Sequence, residues 1–178
     1  MRLRSLFVPV LLGVVLLVIA FVTRSGYFAR DNPGLPFSSA MREAVGELAL
    51  PGDDQAIVES RFPGAVATRS GLRYIVRRPG TGTVRPQRGQ TVSVHYRGAL
   101  LDGTVFDDSR AGGDGPLNVP IGQGRVIAGW DEALMGMTVG EQRTLIIPHW
   151  LGYGERGAGQ KIPPRATLVF DVELLDIR

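Results

Sequence analysis

Three aromatic side chains have the types and spacing most suggestive of a binding site in this sequence. Tyr96, Phe106 and Trp130 lie within the stretch from Thr91 to Leu134, and each stands beside small or turn residues. They come from three separate predicted elements, which is how a small apolar basin is built on a sheet with a helix laid across it. The pattern therefore indicates a site that receives an apolar group.

Nucleophilic, metal and redox chemistry are not supported by the residues present. The sequence has no cysteine and two histidines. His95 points away from Tyr96 on its predicted strand and His149 follows a proline in a loop, so no metal-ligand cluster is indicated. No G-x-S-x-G elbow supports a Ser–His–acid triad, and the G-Q-G run at 122–124 lacks the rest of a dinucleotide fingerprint. We expect no metal and no cofactor.

Hydrophobic periodicity predicts the elements that position the aromatic groups. Val92, Val94 and Tyr96 alternate with polar residues, and 168–174 shows the same period of two, so both stretches read as strands with one buried face. Apolar residues at helical spacing from Trp130 predict a short helix. Five to six strands and one short helix predict an α+β fold, an antiparallel half-barrel sheet wrapped around the helix.

Five motifs resemble those of the FKBP-type peptidyl-prolyl cis-trans isomerases, in order and in spacing. They are V-H-Y-R-G (94–98), D-G-T-V-F-D-D-S-R (102–110), V-I-A-G-W (126–130), L-G-Y-G (151–154) and I-P-P-R-A-T-L-V-F-D-V-E-L-L (162–175). The match covers about residues 71–178. The resemblance implies a bacterial member of that family, an enzyme that turns the bond before proline.

Prolyl isomerisation suits an apolar cup because its barrier is amide resonance, ~18–20 kcal/mol for a peptide bond. The twisted transition state loses resonance and carbonyl dipole, so transfer from water to an apolar pocket penalises the planar ground state. A hydrogen bond to the proline nitrogen, which is pyramidal only when the bond is twisted, would stabilise the transition state selectively.

The resemblance implies a role for particular residues. Trp130 would be the floor under the proline ring, with Phe106 and Phe170 as walls. The residues implied for catalysis are Tyr96, Phe106, Asp107, Trp130, Tyr153 and Phe170. The residues implied for substrate binding are Leu117, Val126, Ile127 and Ile162.

The polar groups of the implied site are few. The hydroxyls of Tyr96 and Tyr153 and the backbone N–H of Ile127 would donate to substrate carbonyls, and Asp107 would orient polar groups at the rim. Asp107 could instead be a turn residue or a partner of Tyr96 or Arg110. Other members could be ordinary core: Val126, Trp130 and Phe170.

Three positions depart from the family pattern. Leu117 stands where an aromatic residue is common, Ala158 replaces a frequent histidine, and Lys161 replaces a frequent apolar residue. These departures concern loop contacts and sequence preference more than the core activity.

The N-terminal part, 1–30, reads as a membrane anchor. Ser5 to Thr23 carries no charge and, as a helix, would span roughly 28 Å at ~1.5 Å per residue, close to a bilayer core. Arg2 and Arg4 precede it, which favours a cytoplasmic N-terminus. We expect a single-pass inner-membrane protein with its catalytic domain on the periplasmic side; the alternative is a signal segment that is cleaved to release the protein to the periplasm.

A linker with short helices is predicted at 31–69, before a domain at 70–178. The helices, at 38–47 and 53–62, could pack on the domain, aid dimerisation or act as a spacer from the membrane, and the spacer interpretation is preferred. Residues 31–178 have a net charge of −1, so no nucleic-acid partner is indicated.

The sequence therefore predicts a prolyl isomerase that acts on proline-containing polypeptides that are exported or close to a membrane. Macrolide inhibitors would be further ligands of the cup. The alternative is a chaperone or scaffold that binds proline without turning it over.

Overall fold

The structure, a computed structural model, describes residues 50–111 and 115–178. The predicted membrane segment and the predicted helix at 38–47 lie outside these ranges. Within them, no helix has both the length and the apolar composition needed to cross a membrane. The described residues belong to one unit, Leu48–Arg178.

Seven strands and two α-helices form within the described ranges. In chain order they are α1 (Gly52–Arg61), β1 (Val66–Ala67), β2 (Arg73–Arg78), β3 (Thr91–Leu100), β4 (Val105–Asp108), β5 (Leu117–Pro120), α2 (Ala128–Met135), β6 (Gln142–Ile147) and β7 (Leu168–Ile177). Two 3-10 turns, His149–Leu151 and Gly154–Arg156, shape the loop between β6 and β7. The prediction of an antiparallel sheet with a short helix is confirmed; the strand number was too low because β1 and β5 are too short to show a period.

All the strands pair antiparallel in one sheet. The order is β1-β2-β6-β7-β3-β4, and β5 pairs with β3 beside β4. Strand β7 is central, since it pairs with β6 on one side and with β3 on the other. Along one edge of β3, the part from Thr91 to Val94 pairs with β5 and the part from Arg97 to Ala99 pairs with β4.

The main core lies between one face of this sheet and α2. Alternate residues of β7 are buried, as the period of two predicts, while Trp130, Ala133 and Leu134 form the buried face of α2. Each large apolar side chain that is fully buried contributes about 1.5–3 kcal/mol. The helix ends at Met135, and Gly136 is its C-cap.

Helix α1 packs on the domain through a second hydrophobic cluster. Leu50, Val58, Leu101 and Ile146 are buried together there. The hydroxyl of Thr167 donates to a carboxylate oxygen of Asp54, and the guanidinium of Arg61 donates to the Leu101 carbonyl oxygen. The structure thus differs from the spacer interpretation for 53–62. That interpretation rested on composition, and a helix with one buried residue shows little apolar periodicity.

Candidate functional site

Four aromatic rings meet edge to face where α2 crosses the sheet. The Trp130 and Phe170 ring centroids are 5.3 Å apart at 81°, and those of Phe106 and Phe170 are 5.5 Å apart at 82°. Tyr96 approaches Trp130 at 5.0 Å and 79°. Pairs of this kind are worth about 0.5–1.5 kcal/mol beyond their buried area, so the rings hold one another in place.

These rings form the floor and walls of an open cavity of ≈ 390 Å³. Trp130 and Phe170 are 4% and 3% exposed at its floor, whereas Tyr153 and Leu117 are 41% and 38% exposed at its rim. A volume in this range accommodates a small apolar ligand group. The lining residues are Tyr96, Phe106, Asp107, Leu117, Gly124, Arg125, Val126, Ile127, Trp130, Tyr153 and Phe170.

A break in the β3–β4 register brings two consecutive residues of β4 to the cavity. Gly98 pairs with Asp107 and Ala99 pairs with Val105, so Phe106 is the extra residue of a β-bulge. Neighbouring residues of a regular strand point to opposite faces. A bulge redirects a side chain, and here it allows both the Phe106 ring and the Asp107 carboxylate to line the same cavity.

The Phe106 ring packs against Gly98 of β3, a position where only glycine leaves enough room. A Cβ at Gly98 would lie 2.6 Å from Cε2 of Phe106 and 2.7 Å from Cε1 of Phe170. The missing side chain therefore allows both rings to lie against the strand, and it determines the width of the cavity at this point.

The one carboxylate among the described lining residues is held by a phenol. The Tyr96 hydroxyl donates to Oδ2 of Asp107 at 2.7 Å. Burial raises the pKa of Tyr96 to about 12, and the hydrogen bond to Asp107 and the charge of its carboxylate act in the same direction. The pKa of Tyr153 is also raised, first by burial and then by the charge of Asp107. Both phenols therefore remain protonated donors at neutral pH.

The raised pKa of Tyr96 predicts a loss of stability in alkali. Because the pKa rises from 10.0 in the unfolded chain to about 12 in the folded one, the protonated phenol stabilises the fold fully below about pH 10. That contribution is lost as the pH rises from about 10 to about 12. Between about pH 9 and pH 11, the free energy of unfolding measured in urea should therefore fall less for Tyr96→Phe than for the parent chain. Equal declines would contradict the pKa assignment.

The wall formed by Val126 and Ile127 is anchored through Asp131. One carboxylate oxygen of Asp131 accepts the N–H of Gly122, and the other accepts the N–H of Gly124, both at 2.8 Å. Both glycines have positive φ, a conformation that glycine adopts without the steric cost of a Cβ. The loop before α2 is thereby fixed to the first turn of the helix. The residues that follow in this loop, Val126 and Ile127, form part of the cavity wall.

The structure brings together all the sequence-predicted site residues except Ile162. That side chain is 8% exposed within the main core, and its backbone forms a β-bridge with Ala158, so it does not line the cavity. Sequence reasoning missed Gly124 and Arg125, which do line it. Their position immediately before the V-I-A-G-W motif was the signal that could have found them.

A second cavity, of ≈ 340 Å³, is a poorer candidate because its lining is mainly charged. Several of its side chains already have partners: Arg110 pairs with Glu173 at 2.7 Å, and Asp171 accepts a hydrogen bond from Thr144 at 2.6 Å. No aromatic residue is among its lining residues in the described part of the chain. An apolar ligand ring would therefore make more favourable contacts in the aromatic cavity than in this charged one.

Comparison with known proteins gives a consistent result. Residues 82–175 match the family model for FKBP-type peptidyl-prolyl cis-trans isomerases. The chain is 54% identical over 99 residues to FK506-binding protein 2 of Yarrowia lipolytica, a match that covers 56% of this chain and 68% of that protein. It is 53% identical over 136 residues to the FKBP-type 22 kDa peptidyl-prolyl cis-trans isomerase of Escherichia coli, covering 76% of this chain and 64% of that protein. The crystal structure of AtFKBP13 superposes with a TM-score of 0.61 at 40% identity, covering 64% of this chain and 98% of that one.

Proposed function

Since this chain belongs to the FKBP-type peptidyl-prolyl cis-trans isomerase family, we propose that its aromatic cavity turns X–Pro bonds in exported or membrane-proximal polypeptides. The isomerase activity follows from the family. The proposal adds the site that performs it, the mechanism and the cellular context. The observation that supports this site is the cavity itself, which is lined by edge-to-face aromatic rings and has one carboxylate among its described lining residues.

Desolvation supplies part of the acceleration in this mechanism. The proline ring rests on Trp130 between Phe106 and Phe170, three side chains that are each less than 10% exposed. In that apolar surrounding the planar, more polar amide loses the solvation that stabilises it in water. The twisted amide, with a smaller dipole, loses less, so the site binds the transition state better than the ground state.

Donors at the rim hold the substrate carbonyls while the bond turns. Tyr153 is the more exposed phenol, and its protonated hydroxyl is available to a carbonyl that enters the cavity. The Tyr96 hydroxyl is already bound to Asp107, so this pair acts as a fixed polar edge. No proton is transferred in this mechanism.

The cellular context is proposed from the sequence alone. The uncharged run at 5–23, preceded by Arg2 and Arg4, would anchor the protein in a bacterial inner membrane with the cavity on the periplasmic side. Clients there would be exported chains that have not finished folding. Intact-mass measurement of the native protein should show the N-terminal segment retained; a mature chain that begins near Arg24 to Arg30 would support release to the periplasm instead.

Macrolide binding is part of the same proposal. The name of the Yarrowia lipolytica relative refers to binding of FK506. The cavity of this chain presents the same apolar floor to any ligand whose ring mimics proline, so a macrolide would compete with X–Pro peptides.

The proposal predicts catalysis that is nearly independent of pH between about 5 and 8. Neither histidine lines the cavity, and no acid–base step is invoked. Exchange spectroscopy on an X–Pro peptide, without a coupling protease, should show a rate that rises with enzyme concentration and varies less than about twofold over that range. A macrolide should suppress it.

Two outcomes would contradict the proposal. A rate that follows the ordinary histidine pKa and becomes flat in His95→Gln would mean that acid–base chemistry contributes. Peptide binding without any acceleration would indicate the non-catalytic proline-binding module.

A further inference from the structure

One basic side chain lines the cavity, and a second, on a different element, contacts the backbone of its Phe106 wall. Arg125 lines it from the loop before α2, next to Val126. Lys161, the single lysine of the sequence, lies in the loop before β7, and its ammonium donates to the carbonyl oxygen of Phe106 at 3.2 Å. Phe106 is itself a wall of the cavity, so this contact places the lysine charge beside the wall.

Backbone contacts fix the position of both residues. The clamp of Asp131 on Gly122 and Gly124 holds the loop that ends in Arg125. On the other side, the β-bridge between Ala158 and Ile162 holds the backbone next to Lys161. The two charges are therefore presented from anchored loops.

Neither cation is neutralised by the described parts of the chain. Within residues 50–111 and 115–178, no salt bridge involves Arg125 or Lys161. The carboxylate at the cavity, Asp107, is bound to the Tyr96 hydroxyl. Glu155, in the loop between β6 and β7, lies 3.6 Å from Arg165. Arg125 and Lys161 therefore have no ion-pair partner among the described residues, while the carboxylates of Asp107 and Asp131 already accept hydrogen bonds.

We propose that Arg125 and Lys161 are specificity-determining residues that select substrates with an acidic side chain next to the proline. This inference rests on the isomerase function. The proline ring must occupy the apolar floor at Trp130, so the residues on either side of it leave across the rim. A carboxylate there would meet one of the two cations, while a lysine would be repelled.

The size of the preference follows from exposure. Arg125 and Lys161 are both exposed. Exposed ion pairs are weak, so we expect kcat/KM to favour a glutamate peptide over its glutamine counterpart by about threefold. The preference should also shrink in high salt, because screening shortens the reach of such charges from ~10 Å at 0.1 M to ~3 Å at 1 M ionic strength.

The test measures kcat/KM of the full chain on two pairs of peptides, with glutamate or glutamine either before or after the proline. The glutamate-to-glutamine ratio should be about three in at least one pair and about one in the double variant Arg125→Gln, Lys161→Gln. Arg125→Lys and Lys161→Arg keep the charge and should each keep the ratio. Arg85→Gln removes an exposed arginine away from the cavity and serves as the matched control.

The outcomes separate this inference from the proposed function. A ratio near one in both pairs, or a ratio that survives in the double variant, overturns the inference while the enzyme remains an isomerase. A chain that accelerates none of the peptides contradicts the proposed function. In that case the charge preference can still be measured by calorimetry, as the ratio of the affinities for the glutamate and glutamine peptides. Binding of a carboxylate by Arg125 or Lys161 does not require turnover.

Discussion

Replacement of Gly98 by alanine should lower kcat/KM for X–Pro peptides by at least about tenfold, or ~1.4 kcal/mol of transition-state stabilisation. The added Cβ would lie 2.6 Å from the Phe106 ring and 2.7 Å from the Phe170 ring. Both rings are buried, so they can move only by disturbing their neighbours or by entering the cavity. Overpacking of this kind also costs about 1–3 kcal/mol of unfolding free energy.

The matched control is Gly52→Ala, since a Cβ there has nothing within 4 Å and its φ is not positive. Gly98 has no positive φ either, so the effect of alanine would come from the rings and not from backbone strain. Activity is measured on protein that urea titration shows to be folded. A Gly98→Ala chain with native kcat/KM would mean that the two rings do not determine the width of the cavity.

Replacement of Val58 by aspartate should lower the free energy of unfolding by at least about 3 kcal/mol. The side chain is 2% exposed, so a charge at this position must be buried or α1 must leave the sheet. If α1 leaves, Leu101 and Ile146 become exposed to water, which costs a similar amount. Either route weakens the fold, and a shift in the urea midpoint measures it.

Ile57→Asp is the control on the same helix, because Ile57 is 39% exposed. It should change the unfolding free energy by less than about 0.5 kcal/mol. The aromatic cavity lies on the other side of the sheet, so kcat/KM per folded molecule should stay within about twofold of the parent value in both variants. Equal midpoints for the two variants would restore the interpretation of this segment as a spacer.

The elements that sequence reasoning predicted well are those whose side chains follow a strict period. The alternate residues of β7 identify the buried face of the sheet, because a one-residue shift would expose all of them. On β3, Val92 and Val94 are buried as predicted, but Ser93 between them is buried as well. Trp130, Ala133 and Leu134 likewise identify the buried face of α2. The resemblance then supplied the other members of the aromatic cup.

What could not be predicted depends on register and on long-range packing. The bulge that brings Phe106 and Asp107 to one side exists only once β4 is aligned with β3, and an isolated strand carries no sign of it. Ile162 belongs to the same motif as Phe170, which lines the cavity, yet Ile162 is buried in the main core and its backbone pairs with Ala158. Val58 is the one buried residue of α1, and the hydrogen bonds of Asp54 and Arg61 are made to distant parts of the chain, so the partner surface of the helix was visible only in three dimensions.

The central position of β7 determines when the sheet can form during synthesis on the ribosome. Strand β7 follows every other described strand in the chain, and it is the strand to which both β3 and β6 are paired. Until residues 168–177 have emerged, β3 with its two short partners and β2 with β6 are separate parts of the sheet, since no other strand in the described ranges pairs with both. The sheet of this domain therefore cannot be completed until its last strand has been made, whatever local pairing forms earlier.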